Sequence, residues 1–214
     1  MTQPFFPTVD PIAALGPYLP LLDLVGIGVF ATSGALAAAR REQTLVTFAF
    51  FALVTGTGGG TVRDLLIDAP VFWVQDARIP LVCLGSAMLI WLTPHSWWKG
   101  RALDWFDAIG LASYAVFGTA KALAFGVPPL PAAMMGVITG CVGGIIRDVL
   151  AGEPSILLRP ELYVTAAALT AALFVGLILL GVPSPIAAVI AAVCGFILRA
   201  LAIVRGIALP VYRP

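Results

Sequence analysis

The chain has 214 residues, of which 60% are hydrophobic and only 11% charged, and its mean hydropathy is +1.03. A soluble domain carries about 25% charged residues, so this composition excludes a soluble globular protein and indicates an integral membrane protein. The net charge of +1 gives no strong field that would attract nucleic acid, so no nucleic-acid partner is expected.

Seven apolar segments are predicted to span the membrane as helices, each of which needs roughly 20 mostly apolar residues. They follow a lead-in of residues 1–20, which has no Lys or Arg and therefore lacks the basic start of a secretory signal. In chain order, the predicted spans are residues 21–39, 44–66, 79–92, 105–125, 130–150, 162–180 and 185–204. The loops between them are short, so no soluble domain is expected.

The sequence of the first three spans recurs in the next three, 84 positions later. The matched positions include Asp23 and Asp107, Gly26 and Gly110, Gly34 and Gly118, Thr55-Gly56 and Thr139-Gly140, and Pro70 and Pro154. The predicted division is a first repeat of residues 21–98, a second repeat of residues 105–181, a seventh helix of residues 184–205 and a tail of residues 206–214. Because each repeat has an odd number of spans, the second enters the membrane from the opposite side. We therefore predict an all-α integral membrane fold of seven transmembrane helices, as two inverted three-helix repeats plus a seventh helix.

Basic residues predict the orientation in a bacterial inner membrane, because cytoplasmic loops carry an excess of Lys and Arg. One side of the predicted topology carries only Arg63 and Arg78. The other side carries Arg40, Arg41, Lys99, Arg101, Arg147, Arg159, Arg205 and Arg213. We expect the N-terminal lead-in outside and the C-terminal tail in the cytoplasm.

Each repeat has a glycine cluster inside an apolar span: Gly58, Gly59 and Gly60 in the second span, and Gly143 and Gly144 in the fifth. Glycine costs about 1 kcal/mol relative to alanine in a helix interior, so we expect both helices to be interrupted or kinked at these clusters. The other interpretation, which is compatible with the first, is that small residues allow close packing of neighbouring helices.

An interruption inside the membrane would free backbone carbonyls, which carry partial negative charge at the end of a half-helix. Hydroxyl oxygens are added nearby by Thr55, Thr57, Thr61 and Thr139. Carbonyl and hydroxyl oxygens can replace part of the water shell of a small alkali cation. The duplicated clusters therefore indicate a transport pathway.

An Arg-Asp pair follows each glycine cluster: Arg63-Asp64 in the first copy and Arg147-Asp148 in the second. Ionisable residues inside spans are functional candidates, so one hypothesis is that these four line the pathway. The other is that they form ion pairs that lock the helices together. Adjacent residues do not face each other on a helix, so partners from the other repeat are an alternative to pairing within each dipeptide.

Three further charged residues lie in or near the spans. Asp23 and Asp107 lie near helix starts, where the helix dipole stabilises an acid, and a position at a pore mouth is the alternative. Lys121 lies near the outer end of the fourth span, and its repeat mate is Ala37. This lysine can extend to the membrane surface, or it can serve in gating.

No catalytic, cofactor or metal site is predicted, apart from permeating potassium. Residues 26–31 fit a loose dinucleotide-binding pattern, but they lie in an apolar span with no preceding strand. Residues 55–61 lack the lysine of a phosphate-binding loop. The one histidine, His95, and the cysteines Cys83, Cys141 and Cys194 lie far apart, so the chain is not expected to be an enzyme.

The doubled motif resembles a known family. Gly59-Gly60-Thr61-Val62-Arg63-Asp64 and Gly143-Gly144-Ile145-Ile146-Arg147-Asp148 lie in two three-helix repeats that a seventh helix follows. This arrangement is similar to that of the bacterial relatives of the trimeric intracellular cation (TRIC) channels, over residues 21–205.

The resemblance implies a homotrimer in the lipid bilayer, with a pore in each protomer lined by glycine-kinked second and fifth helices. It implies conduction of monovalent cations, mainly potassium ions, and a gating role for a basic residue on the fourth helix, which Lys121 matches best. The chain lacks the long basic tail of animal members. Cys141 and Val142 stand where the first cluster has Thr57 and Gly58, so the two clusters need not be equivalent.

The leading interpretation is a passive potassium channel. The alternative is a secondary transporter of a small amino acid such as glycine, a label that bacterial relatives have also carried. In that case the two repeats would rock around a site at the membrane midplane. A scaffold that conducts nothing would leave the duplicated clusters unexplained.

Overall fold

The computed structural model describes residues 19–98, 100–158, 160–210 and 212. Eight α-helices follow one another: α1 (Leu19–Arg40), α2 (Leu45–Leu66), the four-residue α3 (Phe72–Gln75), α4 (Arg78–Leu92), α5 (Ala102–Ala124), α6 (Pro129–Leu150), α7 (Val164–Leu179) and α8 (Ser184–Arg205). The seven long helices match the seven predicted spans, with bounds that differ by three residues at most. Residues 1–18 of the predicted lead-in, and Lys99, Arg159 and Arg213, lie outside the described residues.

Length and composition make four of these helices clear candidates for membrane spans: α1 from Asp23 onward, α2, α6 and α8. Helices α4 and α7 are apolar but shorter, with 15 and 16 residues. Helix α5 has 23 residues but contains Asp104, Asp107 and Lys121. Large apolar side chains such as Val46, Leu81 and Val189 are exposed on the outer faces, which is the surface that a lipid environment requires.

The long helices begin and end where the local sequence favours it. Proline occupies the first turn of both α6 and α8, where its missing N–H removes no helical hydrogen bond. Helix α8 ends at Gly206, whose φ of 64° is left-handed and costs glycine no steric strain. These signals are local, so the helix bounds follow the sequence closely.

Equivalent helices of the two repeats, α1 and α5, cross with reciprocal contacts. A Cβ added at Gly26 would lie 2.4 Å from Cε2 of Tyr114, and one added at Gly110 would lie 2.9 Å from Cδ1 of Phe30. Gly26 matches Gly110 and Phe30 matches Tyr114 in the repeat, so each contact is the counterpart of the other. The two copies are thus related by an approximate two-fold axis.

One end of the bundle, which we call the arginine end, collects the last turns of α1, α6 and α8 and the first turn of α5. The Arg40 guanidinium donates to the Gly100 carbonyl at 3.1 Å, and Arg41 pairs with Glu153 at 2.6 Å. Arg101 donates to the carbonyl of Ile203 on α8. The other end, called the Lys121 end, holds Asp23 near the start of α1 and Lys121 near the end of α5.

Candidate functional site

The two glycine clusters meet where α2 crosses α6. A Cβ added at Gly59 would lie 2.2 Å from the Thr139 carbonyl oxygen, and one added at Gly143 would lie 2.4 Å from the Thr55 carbonyl oxygen. These contacts are repeat counterparts, and Gly58 adds another approach to the Gly143 backbone, at 3.7 Å. Only glycine allows the two backbones to come this close.

The expected interruption of the two helices is wrong, whereas a kink within a continuous helix stays a prediction. Helix α2 is continuous from Leu45 to Leu66, and α6 is continuous from Pro129 to Leu150. The clusters serve the close helix crossing instead. A Cβ on Gly60 would lie 2.6 Å from the Phe72 ring, and one on Gly144 would lie 2.6 Å from the Tyr163 hydroxyl. Packing against neighbouring helices therefore outweighs the cost of glycine in a helix, which is about 1 kcal/mol.

The predicted threonine ligands mostly bond to their own helices. The hydroxyls of Thr57, Thr61 and Thr139 donate to the carbonyls four residues earlier, at 2.7, 2.8 and 2.6 Å. Thr61 also accepts a hydrogen bond from the Trp73 indole at 3.0 Å. Among the described residues, the buried Thr55 hydroxyl has no hydrogen-bond partner. The oxygen cage expected from freed carbonyls is therefore absent at the described crossing.

A first charge cluster forms around Asp64, which is fully buried on α2. Asp64 Oδ1 accepts from Arg63 Nε at 2.8 Å and from Lys121 Nζ at 2.8 Å, while Oδ2 accepts from the backbone N–H of Phe72 at 3.0 Å. The adjacent Arg63 and Asp64 thus do pair. The contact with Lys121 joins the first repeat to the second.

Aromatic rings enclose the two cations of this cluster. Cζ of Arg63 lies 5.7 Å from the Phe72 ring centre and 5.5 Å from that of Phe117. Nζ of Lys121 lies 5.8 Å from the Phe72 centre and 5.9 Å from that of Phe125. Such contacts stabilise a cation that burial has partly dehydrated. Lys121, with 16% of its side chain exposed, is held by Asp64 instead of extending freely to the membrane surface.

A second charge cluster forms at the equivalent place on α6, around Arg147. Arg147 donates to Asp148 Oδ1 through Nε and Nη2, at 3.0 and 2.8 Å, and its Nη1 donates to Asp107 Oδ1. Nη1 also donates to the Ser33 hydroxyl on α1 at 3.0 Å, again joining the two repeats. Asp148 Oδ2 accepts from the Ile156 N–H at 2.9 Å, as Asp64 does from Phe72.

Asp23 and Asp107 do not act as simple helix-start acids, although they match in the repeat. Both lie in the second turn of their helices. Asp107 is paired with Arg147, whereas Asp23 Oδ1 accepts a hydrogen bond from the Tyr114 hydroxyl at 2.8 Å. The one signal for Tyr114 in the sequence is that it occupies the position equivalent to Phe30 of the first repeat.

Sequence reasoning also missed a third buried arginine, Arg199 on α8. Its Nη1 donates to Glu161 at 2.8 Å, and its Cζ lies 5.3 Å from the centre of the Tyr163 ring. The side chain of Arg199 is 1% exposed and that of Glu161 is 33% exposed. Arg199 was overlooked because α8 lies outside the repeat, where no matched position draws attention to it.

Two cavities approach the charge clusters. One, of about 280 Å3, opens at the arginine end and is lined by residues that include Asp104, Asp107, Arg147, Asp148 and Glu153. The other, of about 320 Å3, is mainly apolar and is bordered by Asp23, Tyr114, Phe117 and Lys121. Among the described residues, no group of three or more His, Cys, Asp and Glu side chains is placed to hold a metal ion.

The fold and the matched charge clusters define an all-α membrane protein built from two inverted repeats around one glycine-rich crossing. The family model described as "Glycine transporter" matches residues 20–95 and 104–178. The "UPF0126 membrane protein" of Vibrio cholerae is 44% identical over 152 residues, which are 68% of this chain and 62% of that relative. The chain thus aligns with less than two thirds of the length of that relative. The "UPF0126 inner membrane protein YadS" of Escherichia coli is 43% identical over 150 residues, 68% of this chain and 72% of the relative.

The crystal structure of the "TRIC trimeric intracellular cation channel orthologue from Rhodobacter sphaeroides" superposes with a TM-score of 0.81. It is 41% identical and covers 88% of this chain and 98% of the orthologue. This chain is therefore a bacterial member of the TRIC channel family.

Proposed function

We propose that this protein is a cation channel that conducts potassium passively, with a pathway in each protomer beside the α2–α6 crossing. The observation that carries the proposal is the reciprocal crossing with a buried charge cluster on each side of it. Intramembrane charges are costly in lipid, so two matched sets indicate a polar route past the crossing. The similarity to a cation-channel orthologue supports the same activity.

The cavity at the arginine end is the proposed entrance on that side. Its wall carries four carboxylates, from Asp104, Asp107, Asp148 and Glu153, against the three guanidinium groups of Arg40, Arg41 and Arg147. The acids outnumber the basic groups by one, which favours entry of cations over anions. Since α2 and α6 are continuous, their backbone carbonyls are not the proposed ligands. Side-chain carboxylates and water take that role, with Asp148 on one side of the crossing and Asp64 on the other.

Passage at the Lys121 end requires the Lys121–Asp64 pair to separate. In the conformation described, the 2.8 Å contact ties α5 to α2 and keeps Asp64 from a passing cation. Lys121 is partly exposed, so it can leave Asp64 at a lower cost than the buried Arg63 can. A full charge moved through the membrane field is worth about 2.3 kcal/mol per 100 mV, so voltage can contribute to this step.

The proposed assembly is a homotrimer in the bacterial inner membrane, with the N-terminus outside and the C-terminus in the cytoplasm. The Rhodobacter orthologue is described as trimeric, and the Escherichia relative as an inner membrane protein. No cofactor and no nucleic acid is needed for passive conduction.

The test is to reconstitute the purified protein in planar bilayers with potassium chloride on both sides. We expect discrete current steps and a reversal potential that follows the potassium gradient. The variant Lys121→Gln, which cannot form the ion pair, should alter the fraction of time that the channel is open. Absence of current from protein that is correctly inserted would overturn the proposal.

Transport of a small amino acid such as glycine is the second candidate, because the matching family model is described as a glycine transporter. Inverted repeats suit alternating access as well as conduction. Proteoliposomes with labelled glycine separate the two: saturable uptake that unlabelled glycine inhibits, without current steps, favours the transporter.

A further inference from the structure

The two charge clusters differ in the partners of Asp23 and Asp107, although these two acids occupy equivalent positions in the repeat. In the second cluster, Arg147 Nη1 donates to Asp107. In the first, Nη1 of the equivalent Arg63 is buried and has no hydrogen-bond partner among the described residues. Asp23, the equivalent of Asp107, accepts from Tyr114 instead. A buried arginine N–H without a partner is costly, so some other contact must hold Asp23 away from it.

Tyr114 supplies that contact. Its hydroxyl donates to Asp23 at 2.8 Å from Oδ1 and lies 3.0 Å from the Asp23 carbonyl oxygen. The ring is 3% exposed and packs against Gly26 and, with 5.4 Å between ring centres, against Phe30. Phe30 occupies the position equivalent to Tyr114 in the first repeat and has no hydroxyl that could donate to Asp107. Asp107 therefore pairs with Arg147.

The contacts near Asp23 make an ion pair with Arg63 the alternative to its hydrogen bond with Tyr114. Arg63 and Lys121 both pair with Asp64, so two cations lie at the end of the bundle that holds Asp23. Asp23, Tyr114 and Lys121 also border the same cavity of about 320 Å3. Asp23 bonds to the Tyr114 hydroxyl in this structure, and the equivalent Asp107–Arg147 pair makes the Arg63 guanidinium its alternative partner.

We infer that Tyr114 is a positioning residue that keeps Asp23 off Arg63, so that a carboxylate faces the cavity at the Lys121 end and draws in cations. This inference rests on the proposed channel function. It makes the two ends of the pathway unequal: Asp107 forms an ion pair with Arg147 at the arginine end, while among the described residues Asp23 forms none at the Lys121 end. No metal or cofactor is involved.

The variant Tyr114→Phe tests the inference, because it gives the first cluster the phenylalanine that the second one has. We expect Asp23 to form an ion pair with Arg63 in a crystal structure of this variant. We also expect the unitary potassium current that enters from the Lys121 end to fall about two-fold or more at about 0.1 M salt, and to recover at about 1 M, where the Debye length is only about 3 Å. A purely structural effect would not depend on salt in this way.

Three comparisons keep the outcome clear. Tyr212→Phe makes the same chemical change at a side chain that is 90% exposed and should leave the current unchanged. Asp23→Asn should lower the current in the same way, and adding Tyr114→Phe to it should cause no further loss. If Tyr114→Phe leaves both the Asp23 position and the low-salt current as in the parent, the inference is wrong. A parent protein without current would instead refute the channel function, and the Asp23–Arg63 distance would still test the role of Tyr114.

Discussion

At the scale of single residues, Gly59 and Gly143 set how closely the repeats approach. Each faces a carbonyl oxygen across the α2–α6 crossing, at a distance that leaves no space for a methyl group. The same glycines predict a helix break when only the sequence is considered, because their backbone freedom is a local property. In the folded protein both helices continue through the glycines, and the absence of a side chain is what allows the close approach.

We predict that Gly59→Ala destabilises the protein, since its Cβ would lie 2.2 Å from the Thr139 carbonyl oxygen and would push α2 and α6 apart. Overpacking of this kind costs about 1–3 kcal/mol. The midpoint of thermal unfolding in detergent should fall, and potassium flux should fall with it. Gly85→Ala is the matched control, because nothing lies within 4 Å of an added Cβ at this helical position. Equal midpoints for the two variants would contradict the role of the crossing.

At the scale of elements, α8 lies outside the repeats, yet it is joined to them by buried polar contacts. Arg199 connects the middle of α8 to Glu161, in the segment before α7, and to the ring of Tyr163. The Tyr163 hydroxyl in turn lies against Gly144 of α6. Helix α8 is thereby attached to α6 beside the second charge cluster. The first repeat has no equivalent link, because Ile79 stands where the second repeat has Tyr163.

The Arg199–Glu161 ion pair predicts that replacing its two residues changes the stability of the protein by unequal amounts. Glu161→Ala leaves a buried arginine without its anion, and breaking a buried pair in this way costs about 3–5 kcal/mol. Arg199→Met should cost less, about 1 kcal/mol or below, because the one-third exposed Glu161 can be hydrated and exposed ion pairs contribute little. Thermal unfolding of the two variants in the same detergent measures the difference. A larger loss for Arg199→Met would contradict this account.

At the scale of the whole molecule, the ends of the bundle differ in charge. Arg40, Arg41, Arg101 and Arg205 all lie at the arginine end, as the positive-inside rule requires of one side of a membrane protein. The structure brings these residues together from α1, the start of α5 and the end of α8. Which membrane face receives them follows from the rule and not from the fold.

We therefore predict that a reporter fused after residue 214 lies in the cytoplasm. Green fluorescent protein at this position should fluoresce, and alkaline phosphatase, which folds only outside the cytoplasm, should be inactive. Replacing Arg40 and Arg41 by glutamine should weaken this preference without disturbing the helices, since both residues are exposed at the end of α1 and the loop that follows it. An active phosphatase fusion on the parent chain would reverse the orientation.

The amino-acid sequence was enough to predict the seven spans, the duplication and the positions of the matched glycines and charges. Hydropathy and an 84-residue repeat are properties of the linear sequence, so a single sequence is enough to find them. The folded structure was needed to show that α2 and α6 remain continuous, that Lys121 pairs with Asp64, and that α3 begins where Asp64 accepts a hydrogen bond from the Phe72 N–H. Those outcomes depend on which distant side chains meet: Asp23 and Asp107 occupy equivalent positions, but one meets a tyrosine hydroxyl and the other an arginine.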